Sequence, residues 1–522
     1  MSSKVFSAAI IGLDAQIIEV ETDVSYGLRC FTVVGLPDKA VEESKERMGA
    51  AIKSSGFRSP ASQPQRVLVN LAPADLKKEG SLYDLPMALG YLLASGQAKF
   101  NPQEKICVGE LSLDGKLKPI KGALALALTA KENNWREVIL PKNNALEAAL
   151  ALSAKNNAET NIKVIGVESL KEAADYLEGR KQISPFRADI KNFDEKTDYQ
   201  LDFNWIKGQE SSKRALEIAA AGGHNVLMQG PPGAGKSLLA RSLPSILPRL
   251  SYEESLEVTR IYSIAGILPK DKPLVTWRPF RSPHHTTSET ALIGGGNPPL
   301  PGEITLAHRG ILFLDEFPEF HRDALEGLRQ PIEEGKIAIL RARHRLVFPA
   351  RFTLVAAANP CPCGYYKDPN RPCKCQPAQI ASYRRKLSGP LIDRIDLFID
   401  VPQIKYEKLT APSEQNISQE LRQKIEKSRL IQQERFSSDP DITSKDKPLV
   451  NAEMGIPQIK KYCEIDLKSQ DIMRRFVDSG KLSARGYHRV LKVARTIADL
   501  EESENISYDN LTEALMYRIK EE

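Results

Sequence analysis

No apolar run in the 522 residues approaches the ~20 that a membrane-spanning helix requires. The start, MSSKVFSAAIIGLDAQIIEVE, is apolar too briefly for a signal peptide, because Asp14 and Glu19 interrupt it. It reads as a pair of amphipathic strands. Internal repeats are absent too, and charge of neither sign dominates: the net charge is +6, a weak hint of a polyanionic partner. These absences point to a cytoplasmic protein with no membrane partner, where thiols stay reduced. Cysteine is scarce at seven residues, yet four fall within CPCGYYKDPNRPCKC (361–375). In a reducing compartment such crowding suggests a metal more than disulfides.

The length exceeds one ordinary core and predicts two or three domains. Residues 1–180 alternate β-rich runs (FTVVGLPD, RVLVNLAP) with helical periodicity (AVEESKERMGAAIKSSGF), an α/β domain. Residues 181–204 are polar and aperiodic and read as a linker. A second α/β segment covers 205–402, and 403–522 is helical almost throughout.

NVLMQGPPGAGKSLLARSL (225–243) supplies a strand, a glycine-rich loop and a helix. Gly230, Pro231, Pro232, Gly233, Ala234, Gly235, Lys236 and Ser237 have the spacing of a phosphate-binding loop in the context it requires. Glycines let backbone N–H groups converge on phosphate oxygens, and the helix N-terminus adds positive potential. Lys236 is expected to reach the β- and γ-phosphates of ATP, and Ser237 to ligate Mg²⁺. A second apolar strand, RGILFLDEF (309–317), ends in two acids: Asp315 to hold Mg²⁺ through water, and Glu316 to polarise the attacking water. A third, FTLVAAANP (352–360), ends in Asn359, an amide placed to orient that water. Taken singly, Asp-Glu is a common solvated turn and Asn-Pro a common turn signal. Following a phosphate loop, the catalytic reading is preferred.

From the phosphate loop through LFLDE, AAANP and GPLIDRIDLFIDVP (389–402), the chain resembles an AAA+ ATPase, with a parallel α/β core and a C-terminal helical lid. WRPFRSPHHTTSETALIGGGNPPLPGEITLAHRGILFLDE (277–316) resembles the YifB/ComM type of the magnesium-chelatase-like branch, and this likeness extends over essentially the whole chain. It implies a homo-hexameric ring with ATP between neighbours. Arg394 falls at the position of the arginine finger, and Arg485 at the sensor-2 position on the lid. A surface salt bridge is the plainer alternative for either arginine, and motif position favours the functional role. ALIGGGNPPLPGE (291–303) fits the branch's pore-facing loop or a passive surface loop.

GKIAILRARHRLVFPAR (335–351) reads as strand, turn, strand, and carries Lys336, Arg341, Arg343, Arg345 and Arg351 with no acid. Charge runs usually face solvent. The branch, however, places a hairpin here inside the ring channel, where guanidinium groups suit DNA phosphates. SYRRKL (382–387) adds charge nearby.

Cys361, Cys363, Cys373 and Cys375 form two Cys-x-Cys pairs. Four thiolates complete a tetrahedral Zn²⁺ site. An iron–sulfur cluster takes the same ligands, and free thiols remain the third reading. Zinc is favoured because no redox step is evident, and a closed four-thiolate site is structural.

VLVNLAPADLKKEGSLYDLPMALG (67–90) and VGELSLDGKLKPIKGALALALTAKENNWREVILPKNN (108–144) resemble the Lon protease domain, with its S5-like α/β fold. The resemblance places the Lon Ser and Lys positions on Leu82 and Leu124, so acyl transfer is excluded. Ser81 and Lys121 lie close but offset. The expectation is an ATP-driven hexameric DNA motor, a helicase or branch-migration enzyme. It would assist recombination, as in natural transformation, with a recombinase as a candidate partner. The rival readings are an ATPase subunit of a magnesium-insertion complex, an ATP-dependent protease, and a transcription activator whose signature loop ALIGGGNPP does not match.

Overall fold

A computed structural model describes residues 2–153, 162–188, 199, 201–296, 299–340, 345–369, 371–386, 391–404, 406–409, 416–442 and 448–518. Arg341 and Arg343 lie outside the described residues, as does much of the expected linker.

The N-terminal region is built on a seven-stranded mixed sheet. Its order is Cys30–Val34, Gln65–Ala72, Asp14–Tyr26, Ser2–Ile11, Lys105–Cys107, Glu137–Pro141 and Lys163–Val167. The expected opening strand pair is present as an antiparallel hairpin registered from Ser2↔Asp23 to Ile11↔Asp14. Two largely buried helices of this region are Asp84–Ala94 and Ala123–Glu132. Phe186, inside the expected linker, still bridges Val164 at the sheet edge and packs on that core.

The second sheet has five strands, all parallel, in the order Phe280–Arg281, Ile311–Leu314, Thr353–Ala358, Val226–Gln229, Leu397–Asp400. Every residue of Ile311–Leu314 is buried. Its side chains alternate between two cores, with Phe313 on one face of the sheet and Leu312 and Leu314 on the other. This is the continuous apolar strand expected where helices cover both faces of a parallel sheet. Ligands in such sheets bind beyond the carboxyl ends of the strands. Here the adjacent strands Ile311–Leu314, Thr353–Ala358 and Val226–Gln229 deliver Asp315, Asn359 and Gly230 to one edge.

The C-terminal helices Ile417–Ser437, Ile456–Tyr462, Leu467–Asp478, Ala484–Leu500 and Tyr508–Met516 share a core with this sheet. The joint between them is polar as well. Asp396 accepts from the Asn225 N–H at 2.9 Å and pairs with Arg489. His224 Nε2 lies 2.8 Å from Thr496 Oγ1. The N-terminal region meets the sheet through the helix Tyr252–Ala265. Ser263 Oγ accepts from the Gly122 N–H at 2.8 Å and donates to buried Glu147, and Arg260 Nε donates to the Leu13 carbonyl at 2.6 Å. No helix among the described residues is long and apolar enough to cross a membrane.

Candidate ATP site and four-cysteine knuckle

The phosphate loop runs from the strand Val226–Gln229 into the helix Lys236–Ser242. Gly230 is required by crowding: a Cβ there would overlap the Val401 carbonyl on the neighbouring strand. Lys236 is buried and donates to the carbonyls of Gly230 at 2.6 Å and Pro231 at 2.9 Å, and to Asn359 Oδ1 at 3.1 Å. Burial pushes its ammonium pKa below the usual lysine range, against the pull of Asp315. Ser237 Oγ donates to Asp315 Oδ2 at 2.7 Å, so a hydroxyl and a carboxylate stand together as a hard-oxygen pair suited to Mg²⁺. The adjoining Glu316 is exposed and left-handed at φ 51°. Six of the predicted site positions, Gly230, Lys236, Ser237, Asp315, Glu316 and Asn359, therefore come to one edge of one sheet.

Two residues that the sequence reading missed complete this edge. His285 Nδ1 lies 3.0 Å from Glu316 Oε2. It sits just beyond the edge strand Phe280–Arg281, within SPHHTTSE, and the paired histidines were the available signal. Gln209 is buried and sends Nε2 to the Pro402 carbonyl at 2.6 Å and the Ala234 carbonyl at 3.4 Å, bracing the phosphate loop from behind.

Arg394 is not at this edge. Its side chain is 8% exposed and ion-paired to Glu333 at 2.6 Å. Arg485 is exposed on the first turn of the lid helix Ala484–Leu500. The predicted basic hairpin is an antiparallel pair, Lys336–Leu340 with Arg345–Pro349, registered from Lys336↔Pro349. Lys336 and Arg345 are exposed, whereas Arg351 pairs with Glu453 at 3.3 Å. Within 291–303, Gly294–Gly295 pairs with Leu300–Pro301 as a second small hairpin.

The four cysteines converge, with ligand atoms all within 4.8 Å of one another. The sulfur of Cys361 lies 3.4 Å from that of Cys363 and 3.7 Å from that of Cys373, and Cys363 and Cys373 are 3.6 Å apart. A tetrahedral ion with metal–sulfur bonds of ~2.3 Å requires sulfur–sulfur edges of about 3.8 Å, so the knuckle is shaped for such an ion. Backbone N–H groups of Tyr365 and Lys374 pull the Cys363 thiol down to about 6. The knuckle also touches the ATP site. Gly364 has φ 84°, and a Cβ on it would overlap the ring of Pro232 in the phosphate loop.

In the N-terminal region, Leu124 is fully buried, Ser81 gives its hydroxyl to the Glu110 carboxylate, and exposed Lys121 lies against Gly266. Ser81 and Lys121 are thus each engaged with other groups.

A phosphate loop, an acid-tipped neighbouring strand and an amide-tipped strand between them on a parallel sheet define a P-loop ATPase of the AAA+ class. Comparison with known families gives the branch. Residues 202–409 match the family described as "Magnesium chelatase, subunit ChlI", residues 20–144 match "Subunit ChlI of Mg-chelatase", and residues 415–518 match its C-terminal region. The chain is 40% identical to "Competence protein ComM" of Haemophilus influenzae, covering 98% of this chain and 97% of the relative. It is also 40% identical to the YifB protein of Escherichia coli, covering 99% of this chain and 97% of that one. A shorter similarity, 24% over 206 residues and 37% of this chain, reaches "DNA replication licensing factor mcm2" of Xenopus tropicalis, where it spans 20% of that protein. The chain belongs to the YifB/ComM-type magnesium-chelatase-like family.

Proposed function

We propose that this ATPase is a motor on DNA, a helicase or branch-migration translocase working in the cytoplasm as a homo-hexamer and assisting recombination, with a recombinase as partner. The observation that carries the proposal is the short covalent path from the basic hairpin to the water-positioning amide. Arg345–Pro349 leads within three residues into the strand Thr353–Ala358, which ends at Asn359. A displacement of the hairpin by a bound strand is therefore transmitted along a hydrogen-bonded strand to the amide beside Lys236. The relatives named for competence and for DNA replication licensing support the same direction. ATP and Mg²⁺ are bound by the phosphate loop with Ser237 and Asp315, and the four-cysteine knuckle holds zinc. Arg394 and Arg485 act on nucleotide from a neighbouring subunit and from the lid, respectively.

The second reading, a subunit powering magnesium insertion into a porphyrin, takes its support from the family description. ATP turnover measured without DNA, and with single strands, duplex and a four-way junction, separates the two. The motor reading expects stimulation by DNA that weakens with salt, because phosphate contacts displace counterions. Turnover indifferent to every DNA would favour metal insertion.

A further inference from the structure

Opposite the ATP site, the N-terminal ends of the same parallel strands open into a cavity of about 390 Å³. Asn225 and Gly310, in its wall, immediately precede strands whose far ends lead into Gly230 and Asp315, so the cavity is separate from the nucleotide edge. Most of its carboxylates are already neutralised. Glu254 pairs with Arg278 at 3.2 Å, Glu453 with Arg351 at 3.3 Å, Glu333 with Arg394 at 2.6 Å, and Asp396 with Arg489.

Two cations in the same wall have no such partner. Arg429 spends Nε and Nη2 on one backbone carbonyl, that of Ala220, at 3.2 and 2.6 Å. Lys492 donates to the carbonyl of Ala452 at 2.8 Å. Among the described residues, neither forms an ion pair with a carboxylate. A carbonyl satisfies a donor without pairing its charge, and a cation away from bulk water with no direct ion pair is costly. Both side chains are only partly accessible, and both line the cavity. Burial, reinforced by the nearby Arg278 guanidinium, outweighs the more distant Glu254 and Glu453 and pushes Arg429 down to about 9, and burial lowers Lys492 against the pull of Asp396 and Glu453. Each charge would be relieved by an anion placed in the cavity.

We propose that this cavity binds a small phosphate-bearing anion between Arg429 and Lys492. Its volume falls within the ~300–1,000 Å³ of small-ligand sites. The two cations come from different lid helices, Ile417–Ser437 and Ala484–Leu500, while Gly310, Thr353 and Arg278 come from the sheet side. A bound anion therefore ties these two lid helices together over the sheet side of the cavity, and the helix of Lys492 carries Arg485 at its start. Phosphate is the shared chemistry, whether it arrives as free phosphate, as pyrophosphate or on a nucleoside.

The test uses the full chain with its nucleotide site saturated by ADP and Mg²⁺, and adds inorganic phosphate, pyrophosphate or adenosine monophosphate against chloride at equal ionic strength. At least one phosphate probe should raise Tm by about 2–4 °C while chloride does not. Which probe acts at the lowest concentration identifies the form of the phosphate. Lys492→Met should keep ADP binding and lose the response to that probe. It should also melt higher than wild type without phosphate, because an ammonium with no direct ion pair has been removed. Arg429→Gln should lose the response too; if it fails to fold, Lys492→Met alone decides. An undiminished response in Lys492→Met, no response to any of the three probes, or a response to duplex DNA alone overturns the proposal.

Discussion

Glu316 stands 3.0 Å from His285, and its backbone takes the left-handed conformation immediately after Asp315. Leu314 and Phe317, which flank the Asp315–Glu316 pair, are buried, while the Glu316 side chain is 59% exposed. A carboxylate at a wet edge suits polarising a water. Glu316→Gln preserves shape and removes only the base, so ATP binding should persist while turnover falls by roughly 10²–10⁴-fold, the usual range for a lost general base. Single-turnover hydrolysis at the wild-type rate would remove Glu316 from that role. A different carboxylate contributes to acid stability. Burial works against ionised Glu257, but His308 and Arg309, donating at 3.1 and 2.8 Å, outweigh it and hold its pKa at about 2. Burial lowers the His308 pKa, so His308 serves chiefly as a hydrogen-bond donor and Arg309 supplies the charge. Because the folded pKa of Glu257 lies below its ordinary 4.5, its contribution to stability is fully present above pH 4.5 and lost as pH falls toward 2. Wild type should therefore exceed Glu257→Gln in stability at pH 7, and the gap should close over that interval in denaturant titrations. A gap independent of pH would show that the ionised carboxylate is not what stabilises.

Among elements, the strands bearing the ATP site were legible because each is a short apolar run with its functional residue at the tip. FTLVAAANP and ILFLDE carry position and chemistry within a few residues, and the parallel sheet only had to set them side by side. What stayed illegible are contacts between segments far apart in sequence. His285 reaches Glu316 from another strand, Gln209 braces the phosphate loop from before its strand, and Glu333 holds Arg394 from a short helix. No periodicity encodes such meetings. The four-cysteine knuckle shows both cases. The convergence of its four thiols was readable from the two Cys-x-Cys pairs, whereas the seat of Gly364 against Pro232 was not. That seat makes the knuckle part of the phosphate loop's support. Gly364→Ala faces two costs: a left-handed residue gains a Cβ, at about 1–2 kcal/mol, and the new methyl presses on Pro232. ATP affinity should fall about tenfold for each 1.4 kcal/mol transmitted to the loop. Metal content should stay near one ion per chain, since all four thiols remain. In Cys373→Ser the order reverses, with metal lost first and nucleotide binding weakened as a consequence. Unchanged nucleotide affinity in Gly364→Ala, by fluorescent-nucleotide titration, would uncouple knuckle from loop.

For the whole molecule, the decisive residue is one that cannot act within its own chain as placed. Arg394 is buried, its guanidinium bound to Glu333 and its carbonyl accepting from Asn225 Nδ2 at 3.2 Å. To reach a γ-phosphate on a neighbour it must leave Glu333, an exchange of one anion for another of higher charge. In the proposed ring of identical subunits that exchange would be open at every interface, because each contact would be heterologous and each subunit would give its finger to the next. Arg394→Ala protein should then bind ATP normally and hydrolyse little, with its own phosphate loop and Glu316 intact. Glu316→Gln protein has the complementary defect, an intact finger and no base. When the two are mixed, interfaces pairing the phosphate loop of the first with the finger of the second contain every required group. Random assembly at equal amounts makes about a quarter of the interfaces of this kind. Turnover should therefore rise from near zero for either protein alone to a maximum near equal mixing. Rescue should grow with concentration, as assembly requires. A flat line across all ratios, with both proteins assembling as wild type does, would mean that Arg394 serves its own chain as the partner of Glu333.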